Sequence, residues 1–225
     1  MRVLALDTAT ESCSTALLID GAILERELEC VRGHAEHILG MIDALLREAG
    51  IALGSLDAIA FGRGPGSFTG VRLAASVTQG LAFGAGTGIV AVSDLQALAA
   101  RGFALAPQLE RVLVCNDARM NEVYYAGYAR RGEHSVALGP ERVGTAAALA
   151  GIGPDAAGIG RGFAVYPGLA ERLGVRVPSG WERLLPHARQ IAQLAVAEVR
   201  AGRVLDAAEA LPSYVRDTVA QPSSV

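Results

Sequence analysis

Apolar residues along this chain recur with two periods, and the alternation between them lays out the elements. Arg2 to Leu6 is a short apolar strand that ends at Asp7, and Thr8 to Ser12 is turn-like. Cys13 to Ile19 is again strand-like, Asp20-Gly21 is a two-residue hairpin signal, and Ala22 to Cys30 supplies a third strand. The chain therefore opens as a three-stranded antiparallel meander. Between His34 and Ala49 the spacing of Ala35, Ile38, Leu39, Ile42, Leu45, Leu46 and Ala49 predicts a helix stopped by Gly50. Leu56 to Phe61 is a buried strand, Val71 to Phe83 a helix, and Gly88 to Val92 another strand. Ser93-Asp94 caps a helix running to about Arg101.

From Arg111 the pattern begins again. Val112 to Cys115 ends at Asn116-Asp117, much as Val3 to Leu6 ends at Asp7. A turn at Ala118 to Asn121 leads to strands at Val123–Tyr128 and Ser135–Leu138. A short helix capped by Thr145, a strand at Ala156–Ile159, a helix from Phe163 to Leu173 and a helix from His187 to Arg200 complete the reading. The duplicated strand–Asp–hairpin unit predicts two related lobes, residues 1–104 and 105–225, with Pro107 at their boundary. The tail, Leu211 to Val225, is expected to be loosely held.

The densest local signal lies between the strand at Leu56–Phe61 and the helix after it. Gly62-Arg63-Gly64-Pro65-Gly66-Ser67-Phe68-Thr69-Gly70-Val71-Arg72 places four glycines and a proline within nine residues. Such backbone approaches something closely. Ser67 and Thr69 both suit an N-cap, and the amides beyond them would attract an anion. Two readings stand: a tight strand–helix turn whose glycines serve packing, or a loop that binds an anion or a partner.

Composition narrows the chemistry. The 20 basic residues are all arginine. That removes the phosphate-binding lysine of a P-loop, Schiff-base chemistry and a lysine general base. A net charge of −3 argues against a large basic surface for nucleic acid, so contact with RNA would need a partner to supply charge. Cys13, Cys30 and Cys115 are far apart and odd in number, as expected of reduced thiols in a cytoplasmic protein. No charged-then-apolar leader precedes the first strand, and no strongly apolar run is long enough for a membrane span.

Two groups of residues carry candidate chemistry. Asp7 with Thr8 and Thr10, the loop residues Gly64, Gly66, Ser67 and Thr69, Asp117, and the turn glycines Gly160 and Gly162 form a candidate nucleotide or anion site. Paired aspartates facing a cleft suit metal-bound phosphates, whereas an aspartate alone often only shapes its own turn. His34 and His37, spaced i, i+3, lack further ligands, and no metal site is expected. On the first predicted helix, Ile38, Leu39, Met41, Ile42, Leu45 and Leu46 cover more than one face, and the second is rich in small residues. This surplus suits either a protein–protein interface or burial within the lobe.

Leu4-Ala5-Leu6-Asp7-Thr8-Ala9-Thr10, the glycine loop and Asn116-Asp117-Ala118-Arg119-Met120-Asn121-Glu122-Val123-Tyr124 occur in this order. Together with Gly160-Arg161-Gly162 and Pro212-Ser213-Tyr214-Val215-Arg216 they resemble the bacterial TsaB (YeaZ) family over essentially the whole chain. The resemblance implies an α/β, two-lobed actin-like (RNase H-like) fold with duplicated mixed sheets and flanking helices. It implies a non-catalytic subunit of the complex that forms threonylcarbamoyladenosine beside the anticodon of tRNAs reading codons that begin with adenosine. TsaD is the catalytic partner, TsaE the ATPase that joins them, and tRNA is met only through the complex. The helices matching His34–Ala49 and Thr69–Phe83 pair with TsaD, or with a second copy in a homodimer. That places His34, His37, Ile38, Met41, Leu45, Val71, Arg72, Ala75 and Gln79 at the partner interface. No cofactor is required, and any ATP or ADP binding is expected to be weak or to occur in the complex. The alternative is an active actin-like ATPase or phosphotransferase using Asp7 and Asp117. The His-x-x-x-His motif of TsaD is missing, so peptidase chemistry is not carried over.

Overall fold

A computed structural model describes residues 1–30, 33–132, 134–153 and 155–216. The opening meander is β1 (Arg2–Asp7), β2 (Ser12–Ile19) and β3 (Ala22–Glu29). β4 (Ala58–Gly62) joins β1 in parallel and β5 (Gly88–Val92) joins β4, giving the order β3-β2-β1-β4-β5. Parallel pairing needs crossovers that cover the sheet, so β1 and β4 are buried on both faces and read as continuous apolar runs. Leu4, Leu6, Leu17, Ile59 and Phe61 face α1 (His34–Ala49) and α2 (Phe68–Ala85). The alternate residues Val3, Ala5, Ala16, Ala58 and Ala60 face Ala188, Ile191, Ala192 and Ala195. Those four belong to α6 (Ala188–Arg200), from the far end of the chain.

The second lobe repeats the plan. β6 (Arg111–Arg119) pairs antiparallel with β7 (Glu122–Arg131) and parallel with β10 (Ala156–Ile159), in the order β10-β6-β7-β8, where β8 is His134–Ala137. α3 (Asp94–Leu105) packs Leu95, Leu98, Ala99 and Phe103 on Val112, Val114, Ala126 and Tyr128. The opposite face is covered by Leu169 and Leu173 of the short α5 (Leu169–Leu173).

Several expectations are corrected. The division at residues 104/105 does not hold in space, because α6 completes the first lobe and α3 completes the second. The helix expected at 163–173 is two pieces, α4 (Gly162–Val165) and α5, since Pro167-Gly168 interrupts it and Gly168 takes φ 78°. Thr145 makes no side-chain cap; it ends an unforeseen strand, β9 (Arg142–Thr145), which pairs with the start of β7. Residues 211–216 of the tail are held across the two lobes; the remainder, 217–225, lies outside the described residues.

Candidate functional site

Asp7 ends β1 and Asp117 lies two residues before the end of β6, and each accepts from the amide two residues on. Asp7 Oδ1 accepts a hydrogen bond from the Ala9 amide at 2.8 Å, and Asp117 Oδ1 accepts one from the Arg119 amide at 3.0 Å. Their surroundings differ. Asp7 is fully buried, whereas the Asp117 side chain is 16% exposed and forms an ion pair with Arg119 at 3.3 Å. The Arg119 side chain also reaches Glu11 at 3.5 Å, and Glu11 meets Arg161 at 3.0 Å, so charge joins the lobes at the mouth of the cleft.

Beneath the cleft floor Asp7 faces a second buried carboxyl that sequence reasoning missed. Asp94, at the start of α3, accepts from the Gly64 amide at 2.5 Å through Oδ2. Its Oδ1, and Oδ2 of Asp7, have no partner in the described structure. A Cβ on Gly62 would clash with Asp94 Oδ1 and lie 2.8 Å from Asp7 Oδ1, so this glycine marks where the two acids meet. Loss of hydration pushes Asp7 up to about 6 and raises Asp94 well above the carboxylate range, the Asp7 charge adding to the latter. Two carboxylates this close hold a shared proton more readily than two charges. The Ser93 cap explained Asp94 as a helix start and hid its second contact.

The glycine loop is packed against the first turn. The Ser67 amide donates to Ala9 O at 2.7 Å, and Thr8 Oγ1 donates to Gly70 O at 2.7 Å. A Cβ on Gly66 would lie 2.5 Å from Ala9 O, and one on Gly70 would overlap Thr8 O. Close backbone approach accounts for these glycines. Of the two expected caps, Ser67 accepts from Gly70 N at 3.4 Å, and Thr69 lies inside α2. In the second lobe Gly160 and Gly162 play the same packing part: a Cβ on either would come within 2.8 Å of Cys115 O.

Thr8, Thr10, Gly66, Ser67, Thr69 and Asp117 are brought together around an interlobal cavity of about 790 Å³; Asp7, Gly64, Gly160 and Gly162 are outside its lining. Asn116 also lines it, and its buried amide has neither donor nor acceptor partnered among the described residues. His34 reaches Thr10 O at 2.9 Å through Nε2, while His37 points to solvent, so the two do not converge. Among the described residues no group of three or more His, Cys, Asp or Glu side chains could hold a metal.

The expected partner-interface residues divide. Ile38, Leu45 and Ala75 lie in the first lobe's own core and Val71 is buried beside the interlobal cavity, so none of the four is on the outer face, which corrects that expectation. Met41 and Gln79 are half-buried; Met41 touches Cys13, and Gln79 donates to Ala210 O at 3.0 Å. His37 is exposed, and His34 and Arg72 are half-buried. The outward residues are instead Leu39, 55% exposed and already part of the apolar surplus, Phe83, 84% exposed, and the small residues Gly40, Ala44, Ser76, Gly80 and Gly84, of which Phe83, Gly40, Ala44 and Gly84 were missed. A Cβ on Gly40, Gly80 or Gly84 would meet nothing within 4 Å. Nothing among the described residues requires glycine there.

The sequence model of the family described as "TsaD: tRNA N6-adenosine threonylcarbamoyltransferase" matches residues 28–166. The tRNA threonylcarbamoyladenosine biosynthesis protein TsaB of Escherichia coli (strain K12) is 38% identical over 98% of this chain and 96% of its own length. Its namesake in Haemophilus influenzae is 38% identical over 97% and 95%. Among solved structures, YeaZ from Pseudomonas aeruginosa superposes with a TM-score of 0.83 at 40% identity, covering 95% of this chain and 99% of that one. A second Pseudomonas aeruginosa structure, described as an uncharacterized protein with similarity to peptidase YEAZ, reaches 0.87 at 42% identity over 96% and 99%. Motif order, duplicated lobes and full-length similarity agree, and the chain belongs to the TsaB (YeaZ) family of tRNA threonylcarbamoyladenosine biosynthesis proteins, two related α/β lobes with mixed sheets and flanking helices.

Proposed function

We propose that this chain is a non-catalytic partner subunit that docks on TsaD in the cytoplasm, with TsaE as the third member. tRNA is met through that complex, and two copies pair when TsaD is absent. The observation that carries the reading is the outer face of α1 and α2. It exposes Leu39 and Phe83 beside Gly40, Ala44, Ser76, Gly80 and Gly84, small residues at i, i+4 spacing. Small residues let a second pair of helices approach closely, and exposed apolar side chains supply burial on contact. The ATPase alternative is disfavoured by the same site: Asp7 is enclosed with Asp94, and Asp117 is tied to Arg119. Neither aspartate is presented free to the cleft, so nucleotide binding by the isolated chain is weak or confined to the complex.

The test is size-exclusion chromatography with light scattering, on the chain alone and mixed with TsaD of the same organism. Leu39→Asp and Phe83→Asp should leave the circular-dichroism spectrum intact and abolish both homodimer and heterodimer. Ile38→Asp or Leu45→Asp should instead unfold the chain. A wild-type monomer that ignores TsaD and hydrolyses ATP would overturn the proposal.

A further inference from the structure

The segment Ala210–Arg216 crosses from one lobe to the other. At the first lobe Gln79 Nε2 donates to Ala210 O at 3.0 Å, and the Ser213 amide donates to Arg63 O of the glycine loop at 2.8 Å. Gly64 has φ +101°, and a Cβ there would lie 3.0 Å from Ser213 O, so the loop is shaped to let this segment pass. At the second lobe Arg216 forms an ion pair with Glu122 and donates to Ala118 O at 3.3 Å. Between these anchors Ser213 to Arg216 form one wall of the 790 Å³ cavity. Ala210 is fully buried in the first lobe's core and fixes the start of the segment; beyond it Leu211 and Tyr214 are exposed, so little apolar surface secures residues 211–216. A few polar anchors and little burial describe an element that opens far below the cost of global unfolding.

Its middle touches the surface of α2. The Arg72 guanidinium stacks on the Phe68 ring, 3.3 Å from the centroid, and faces the Tyr214 ring at 4.7 Å. Phe68, Arg72, Ser76, Gly80 and Gly84 follow at steps of four, one ridge along the helix. Tyr214 therefore orders the first turn of the ridge whose later turns expose the small residues.

We propose that Leu211–Arg216, anchored at the buried Ala210, is a displaceable strap that closes the interlobal cleft and couples its closure to partner docking on α2. The coupling rests on the docking face proposed above; the closure does not. With the strap closed, Arg72 and Phe68 are held in one arrangement before a partner arrives. With it open, docking must order them, which weakens affinity roughly five- to tenfold. By reciprocity a docked partner lowers the equilibrium population of the open strap by the same factor.

The experiment is hydrogen exchange by mass spectrometry on the full chain, with and without TsaD, together with calorimetric titration. In the free wild type, amides at 211–216 should exchange more slowly than an open chain and faster than β1 and β4. TsaD should protect both the strap and the Thr8–Ser12 turn. Arg216→Ala should speed exchange in the strap, leave β1 and β4 unchanged, and raise the Kd for TsaD about five- to tenfold. Arg216→Lys, which keeps the charge, should recover part of both effects, and Tyr214→Ala should raise the Kd without touching the Glu122 anchor. Open-chain exchange in the wild-type strap, or none of these changes in the variants, overturns the closure. Faster strap exchange with an unaltered Kd overturns the coupling. A wild type that does not bind TsaD overturns the docking face and the coupling with it, while exchange in the free protein still decides the closure.

Discussion

Replacing Gly40, Gly80 and Gly84 by alanine separates the needs of the fold from those of a partner. All three sit within helices, and a Cβ at each would point into open space. Glycine in a helix interior is less stable than alanine by roughly 0.5–1 kcal/mol, so the triple variant, melted beside wild type at a concentration dilute enough for both to be monomeric, should gain about 2 kcal/mol. In a chain of this size that raises the Tm by about 4–8 °C. In the docked state the same three methyl groups enter a close helix–helix contact, where overpacking costs about 1–3 kcal/mol each. Each substitution should then weaken TsaD binding by about tenfold or more. Thermal melting of the isolated variants and calorimetric titration against TsaD read the two effects separately. A higher Tm with unchanged affinity would refute the argument, because the glycines would then have no partner to explain them. A lower Tm would mean that the chain itself needs the glycines.

Two further predictions concern buried charge. Asp7 is pushed up to about 6, so the folded chain keeps a proton that the unfolded chain has released, and stability falls as the pH climbs from about 4 to about 6. Asp94→Asn keeps an acceptor for the Gly64 amide and offers a donor to Asp7; urea melts should show its advantage over wild type widening from pH 4 to pH 8, and parallel curves would sink the shared-proton picture. Burial lowers the titration of His187, whose Nδ1 accepts from the Arg189 amide at 3.0 Å as the cap of α6. Its contribution is present above about pH 6.5 and lost as the pH falls, so His187→Asn, which keeps an acceptor at the cap, should resist acid better than wild type, while His187→Ala should cost about 1 kcal/mol at pH 7 by urea melts.

Local order was legible because it depends on local rules. The period of Ile38, Ile42 and Leu45 and the stop at Gly50 define α1, and its observed bounds are those expected. Asp20-Gly21 places the first hairpin, and Gly88–Val92 is a strand as read. The repeated strand–aspartate unit announced two related sheets. The errors fall where local rules run out. β9 is four residues of weak pattern that exist because β7 offers a free edge. The expected helix at 163–173 ignored the stop at Pro167-Gly168.

The sequence by itself determined the element types, the turn chemistry, the duplication and, through its motifs, the family. Tertiary structure alone decided which way each side chain of α1 and α2 points. Apolar residues on two sides of a helix reveal surplus, yet Ile38 is buried and its neighbour Leu39 exposed only because sheet one lies under one side. It also decided that Asp94 meets Asp7, that α6 returns to the first lobe, and that residues 210–216 bridge the two. The physical reason is common to all of these. Periodicity and capping are settled between residues a few positions apart, whereas burial, proton sharing and lobe closure arise between residues that only the folded chain brings into contact.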